Sequence, residues 1–145
     1  MATIYTIGFT QKNLRRFVGL LQKARVDVLV DIRLRPDSQL SGYAKREDLT
    51  FVLDLFGIGY LHQPLLAPTA EILDEYRRTK NWATYEARFR PLLQERSADA
   101  IARALLEEYS APCLLCSEAT ADQCHRRLVA EYWASHVPGL KIVHL

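Results

Sequence analysis

Residues 26–32 read VDVLVDI and residues 112–116 read PCLLC, two runs that are almost wholly apolar. Strands of this kind cannot keep one face in water. They need cover on both sides, the setting of a parallel sheet flanked by helices. Three further runs have strand character: residues 3–7 (TIYTI), 58–62 (IGYLH) and 141–144 (KIVH). Between successive runs the apolar residues recur at helical spacing. Leu14, Phe17, Val18 and Leu21 mark one helix, with Thr10 placed to cap it; Leu49, Val52, Leu53 and Phe56 mark another, stopped by Gly57. Pro68 and Thr69 prepare a helix running to about Arg78, Asn81 caps one carrying Trp82, Tyr85, Phe89 and Leu93 with Pro91 inside its pattern, and residues 98–109 form one more. Strands alternating with helices require crossover connections. The expected architecture is a three-layer α/β fold, a mostly parallel sheet of about five strands with helices on both faces. At 145 residues the chain fits a single domain, 1–145.

Composition excludes more than it identifies. A formal net charge of +2 is too small to argue for nucleic acid by itself. No apolar run approaches the roughly 20 residues of a membrane helix, so no membrane partner is expected. Three cysteines are an odd set, and MATIYTIGFT lacks a basic-then-apolar leader. These features predict a cytoplasmic protein with free thiols.

Reactive residue types concentrate in residues 111–133, APCLLCSEATADQCHRRLVAEYW. The pattern reads as a buried strand ending at Cys116, a polar turn, and a helix opening at Ala121, where Thr120 and Gln123 stand in capping-box relation. Projected at 3.6 residues per turn, His125 faces inward with Leu128, Val129, Tyr132 and Trp133; Arg127 faces outward, and Cys124 and Arg126 fall on the flanks. In a parallel sheet the ligand site lies outside the carboxyl ends of the strands. That rule gathers Thr10, Asp31, Arg33, His62, Cys116, Ser117 and Glu118 on one rim. A polar loop, residues 34–45, leaves the same rim and offers Ser38 and Lys45.

Taken together, YTIGFT (5–10), VDIR (30–33), SQLSGYAK (38–45), the Tyr60, His62 and Pro64 element leading into LLAPT (65–69), and LLCSEATADQCHRRLVAEY (114–132) resemble a bacterial and archaeal group, domain of unknown function family 488. Where that family often carries a His-Ser pair, this chain has Phe9 and Thr10. The resemblance implies a shared fold and a common site and names no activity.

Each candidate has a structural reading beside its functional one. Asp31 and Arg33 either serve a ligand or pair with each other to hold the loop; His62 is either a ligand contact or a hydrogen-bonded brace. Cys116 has three readings: a small core residue or ligand contact, a nucleophile favoured by Arg126 and a helix amino terminus, or a metal ligand with Cys124 and a histidine. Cys-x7-Cys-His is not a recognised zinc spacing, and adjacent helical residues point about 100° apart, so no metal set is assigned. The loop after Cys116 also resembles that of cysteine phosphatases and sulfurtransferases, but Asp122 stands where those loops need arginine.

Two functions remain open. One is an enzyme acting on a small anionic or nucleotide-like ligand, with Cys116, Glu118 and Asp31 catalytic and Thr10, Arg33, Ser38, Lys45, His62, Ser117, Cys124, His125 and Arg126 contacting the ligand. The other is a non-catalytic nucleic-acid-binding module using Arg35, Tyr43, Lys45 and Arg46. A Cys/His metal-binding protein is a further alternative. The sequence names no cofactor.

Overall fold

The computed structural model describes residues 2–38, 42–118 and 121–145. Among the described residues, five strands, β1 (Thr3–Gly8), β2 (Val28–Asp31), β3 (Gly59–His62), β4 (Pro112–Cys116) and β5 (Lys141–His144), alternate with six α-helices. The helices are α1 (Leu14–Lys23), α2 (Arg46–Leu55), α3 (Ala70–Thr79), α4 (Trp82–Glu95), α5 (Ala98–Glu108) and α6 (His125–His136). Every strand pairing is parallel, in the order β3-β2-β4-β1-β5, which is the three-layer α/β architecture expected. Burial follows strand position. The apolar runs of β2 and β4 lie inside the sheet with every residue buried, while β3 and β5 are its edges and carry exposed residues.

Two cores flank the sheet. On one face Ile7, Leu29, Cys113 and Leu115 pack against Phe17, Val18 and Leu21 of α1 and Leu49 and Leu53 of α2. On the other, Ile4, Val28, Val30 and Leu114 pack against Ile72 of α3, Phe89 and Leu93 of α4, Leu105 of α5, and Leu128, Val129 and Trp133 of α6. This division is what right-handed crossovers require. The chain steps from β1 to β2 to β3 in one direction along the sheet and from β3 to β4 to β5 in the other, so its helices land on opposite faces. Connections therefore depart in opposite senses from the adjacent strands β2 and β4. Their carboxyl ends form a crevice, the place where such sheets bind ligands.

Local signals set most helix ends. Thr69 and Asn81 cap α3 and α4 as expected, accepting from Ile72 N at 3.2 Å and Thr84 N at 3.1 Å. Gly57 takes the left-handed φ of +71° that ends α2, and Pro91 lies within α4 without ending it. Two starts differ from expectation. Asn13, not Thr10, caps α1, accepting from Arg16 N at 2.8 Å. Helix α6 begins at His125 rather than Ala121, with Cys124 as its extended N-cap residue (φ −139°, ψ 140°); Thr120, half of the expected capping box, lies outside the described residues. Among the described residues no helix is long and apolar enough to cross a membrane.

Candidate functional site

Strand register brings distant residues level. Gly8 stands beside Cys116, and Asp31 stands between Leu115 and His62, so four strands end together on one rim. Over the β2/β4 crevice lies a cavity of about 220 Å³. Its walls come from four places: Arg33, Leu34 and Arg35 after β2; Cys116, Ser117 and Glu118 at the end of β4; Gln123, Cys124 and His125 at the start of α6; and a roof from α3 and α4 containing Tyr76, Arg77, Lys80, Trp82 and Tyr85. Of the catalytic candidates Cys116 and Glu118, and of the ligand candidates Arg33, Ser117, Cys124 and His125, line this cavity.

Asp31 and Arg33 form a buried unit. Asp31 Oδ1 accepts from the backbone N and Nε of Arg33 at 3.1 and 2.9 Å, and Oδ2 accepts from Arg33 Nη2 at 2.7 Å and the Tyr60 hydroxyl at 2.5 Å. With four bonds accepted and no exposed surface, this carboxylate is placed to orient Arg33. It is not among the residues that line the cavity, against the catalytic role expected of it. Burial and the Asp31 hydrogen bond push the Tyr60 hydroxyl well above its ordinary pKa, so it stays protonated and donating. The guanidinium also lies over the Phe9 ring, 5.3 Å from its centroid. Its remaining nitrogen, Nη1, is buried and has no hydrogen-bond partner among the described residues.

The cysteines correct the expectation of free thiols. Cys116 and Cys124 are joined by a disulfide, both nearly inaccessible, and Cys113 is the buried free cysteine. Cys116 is therefore not a poised nucleophile in this state. Burial pushes the Cys113 thiol far up, which fits a core residue. His125 is half-buried and bonded through Nε2 to the Ile32 carbonyl at 2.7 Å. Burial holds its imidazole down to about 4, hence neutral near pH 7.

Arg126 departs most from its expected role as an anion clamp. It is wholly buried rather than flanking, and its Nη1 donates to the Glu118 carbonyl at 2.7 Å beneath the loop leaving β4. Burial lowers its pKa. Thr10 closes the same loop from the other side, its hydroxyl and backbone N both donating to the Ser117 carbonyl. Gly8 is required here by close approach: a Cβ would lie 1.5 Å from the Glu118 carbonyl oxygen and 2.5 Å from Arg126 Nη1.

His62 and Lys45 are not among the residues that line the cavity. His62 bonds the Arg33 carbonyl through Nε2 at 2.8 Å, a bracing role. Lys45 is exposed at the start of α2, and the side chain of Ser38 lies outside the described structure. Tyr43, a base platform on the nucleic-acid reading, donates to the Phe9 and Lys12 carbonyls at 3.1 and 2.7 Å and packs against Phe17. Arg35 is paired with Asp74 at 3.2 Å.

Sequence reasoning missed the roof. Residues 76–82 read YRRTKNW, and the structure folds this run over the cavity: Tyr76 meets Trp82 edge-on at 5.8 Å, and Trp82 stacks on Tyr85 at 4.9 Å with planes 15° apart. Lys80 lies 6.0 Å from the Tyr76 centroid. The available signal was this interleaving of basic and aromatic residues at a helix junction. The same aromatic spacing also builds core, where Tyr85 and Phe89 are buried.

A family model, Domain of unknown function DUF488, matches residues 13–133. No curated protein and no solved structure matches the chain.

Proposed function

The chain belongs to the DUF488 family, a membership that carries no activity, and we propose from the site itself that it binds a small nucleotide-like ligand, one joining an anionic group to a flat ring, in the crevice between β2 and β4. The observation that carries this is Arg33 Nη1, a buried donor without a partner among the described residues, on a side chain lining a cavity that also holds Arg77, Lys80, Trp82 and Tyr85. A buried unbonded donor costs about 1–3 kcal/mol, and an anionic oxygen removes that cost with a charge-assisted bond. Asp31 fixes the guanidinium plane by occupying its other edge. Trp82 lines the cavity with Tyr85 stacked on it and Arg127 5.9 Å from its ring centroid, and adds aromatic surface that a lone phosphate would not use. If the bound ligand is turned over, Glu118 is the cavity carboxylate for general acid or base work, since Asp31 is engaged elsewhere.

Calorimetric titration with nucleoside 5′-monophosphates, inorganic phosphate and short oligonucleotides tests the reading. Mononucleotides should bind more tightly than phosphate and lose affinity as salt rises. Lys80→Ala and Arg77→Ala should each weaken binding about tenfold, the scale of one charge-assisted contact, and Trp82→Ala should erase the preference over phosphate. Absence of mononucleotide binding overturns the proposal; oligonucleotide binding without it supports the nucleic-acid module instead.

A further inference from the structure

Cys116, Cys124 and His125 meet at the floor of the cavity. The two sulfurs and one ring nitrogen all lie within 4.8 Å of one another. Two adjacent residues of a helix could not converge in this way, but Cys124 is the extended N-cap residue and only His125 is helical, which removes the 100° divergence. The tautomer of the histidine is already set. A carbonyl oxygen can only accept, so Nε2 carries the hydrogen given to Ile32, and Nδ1 keeps its lone pair. A ring nitrogen bonded to a backbone carbonyl while the other is left for a metal is the usual outer arrangement of a histidine ligand. The cysteine Cα atoms stand 7.5 Å apart, beyond the span of about 4.4–6.8 Å common to disulfides. Two thiolates on a tetrahedral ion with bonds of about 2.3 Å sit about 3.8 Å apart, which suits the wider spacing.

We propose that, once the disulfide is reduced, Cys116, Cys124 and His125 hold one zinc-class divalent cation whose fourth position opens on the cavity. Reduction by a phosphine or dithiol delivers two electrons, and with two protons from water the S–S bond becomes two thiols. The ion then displaces both thiol protons to solvent and forms two metal–sulfur bonds and one metal–nitrogen bond. All three residues line the cavity, so the remaining position falls to water or to an oxygen of whatever enters. Three protein ligands with one open position is the arrangement of catalytic rather than structural zinc. The ligand set stands on its own geometry; only the identity of the incoming molecule rests on the nucleotide-like reading.

Phosphine-reduced protein, kept free of oxygen, is titrated with Co²⁺ alone and then with Zn²⁺. The expected result is one equivalent of cobalt, a thiolate-to-cobalt charge-transfer band, four-coordinate visible bands, and displacement by one equivalent of zinc. Cys116→Ser and Cys124→Ser should each weaken binding at least 100-fold, and His125→Gln 10- to 100-fold. Should a cysteine variant fail to fold, alkylation of the wild type decides: zinc should protect two thiols, with Cys113 unreactive in its core throughout. Absence of a charge-transfer band, a band that survives either cysteine substitution, or no protection by zinc overturns the proposal. None of these steps uses a nucleotide, so failure here is separable from failure of the ligand reading.

Discussion

Gly8 shows how narrowly the rim is built. It is level with Cys116, and the space its side chain would need is taken by the Glu118 carbonyl and the Arg126 guanidinium. Gly8→Ala should therefore destabilise the protein by about 1–3 kcal/mol or more through overpacking against backbone, read as a lowered urea midpoint; an unchanged midpoint would show that the β4 loop moves aside without cost. At this scale the sequence was a partial guide. Its residue types pointed to the rim, where strand register brings Gly8, Asp31, His62 and Cys116 together, and the pairing of Asp31 with Arg33 was one of two readings kept open. What residue type could not show was partnership. Arg126 and Thr10 look like ligand contacts from position alone, yet backbone carbonyls of the β4 loop accept from Arg126 Nη1 and from both Thr10 donors. Only the fold decides which donors are already engaged.

Among the elements, the roof depends on a tie that sequence pattern does not reveal. Arg96, just past the end of α4, donates through Nη1 to the Leu65 and Ala67 carbonyls at 2.9 and 2.6 Å, fixing the turn that leads into α3. Ala67 is fully buried, so its carbonyl has little access to water if the arginine is lost. Arg96→Ala should cost about 1–3 kcal/mol and weaken ligand binding by loosening α3 over the cavity, measured by urea unfolding alongside calorimetry. Equal affinity in the variant would mean that the roof is held by its aromatic contacts alone. Helix existence was legible because amphipathic spacing and the Thr69 and Asn81 caps are local. The start of α6 was not. Thr120 and Gln123 supply a plausible cap four residues too early, whereas the real boundary is set where Cys124 is extended.

For the molecule as a whole, apolar patterning indicated that β2 and β4 need cover on both faces, and every residue of both strands is buried, Asp31 included. Strand order was beyond reach, because periodicity reports how a strand is covered and not which strand lies beside it. The order matters most for the site: it sets β2 against β4 and opens the crevice there. Burial separates the two tryptophans, which share one face of the sheet. Trp133 is wholly buried on α6 with its indole N–H donating to the Ala98 carbonyl at 2.8 Å, whereas Trp82 lines the cavity. The protein thus carries two intrinsic fluorophores with separate duties. Iodide should quench the emission of Trp82 and spare that of Trp133, and an occupant of the crevice should shield the former. A Trp82→Phe protein whose emission remains iodide-sensitive would contradict this division; otherwise one indole reports unfolding and the other reports occupancy, without an added label.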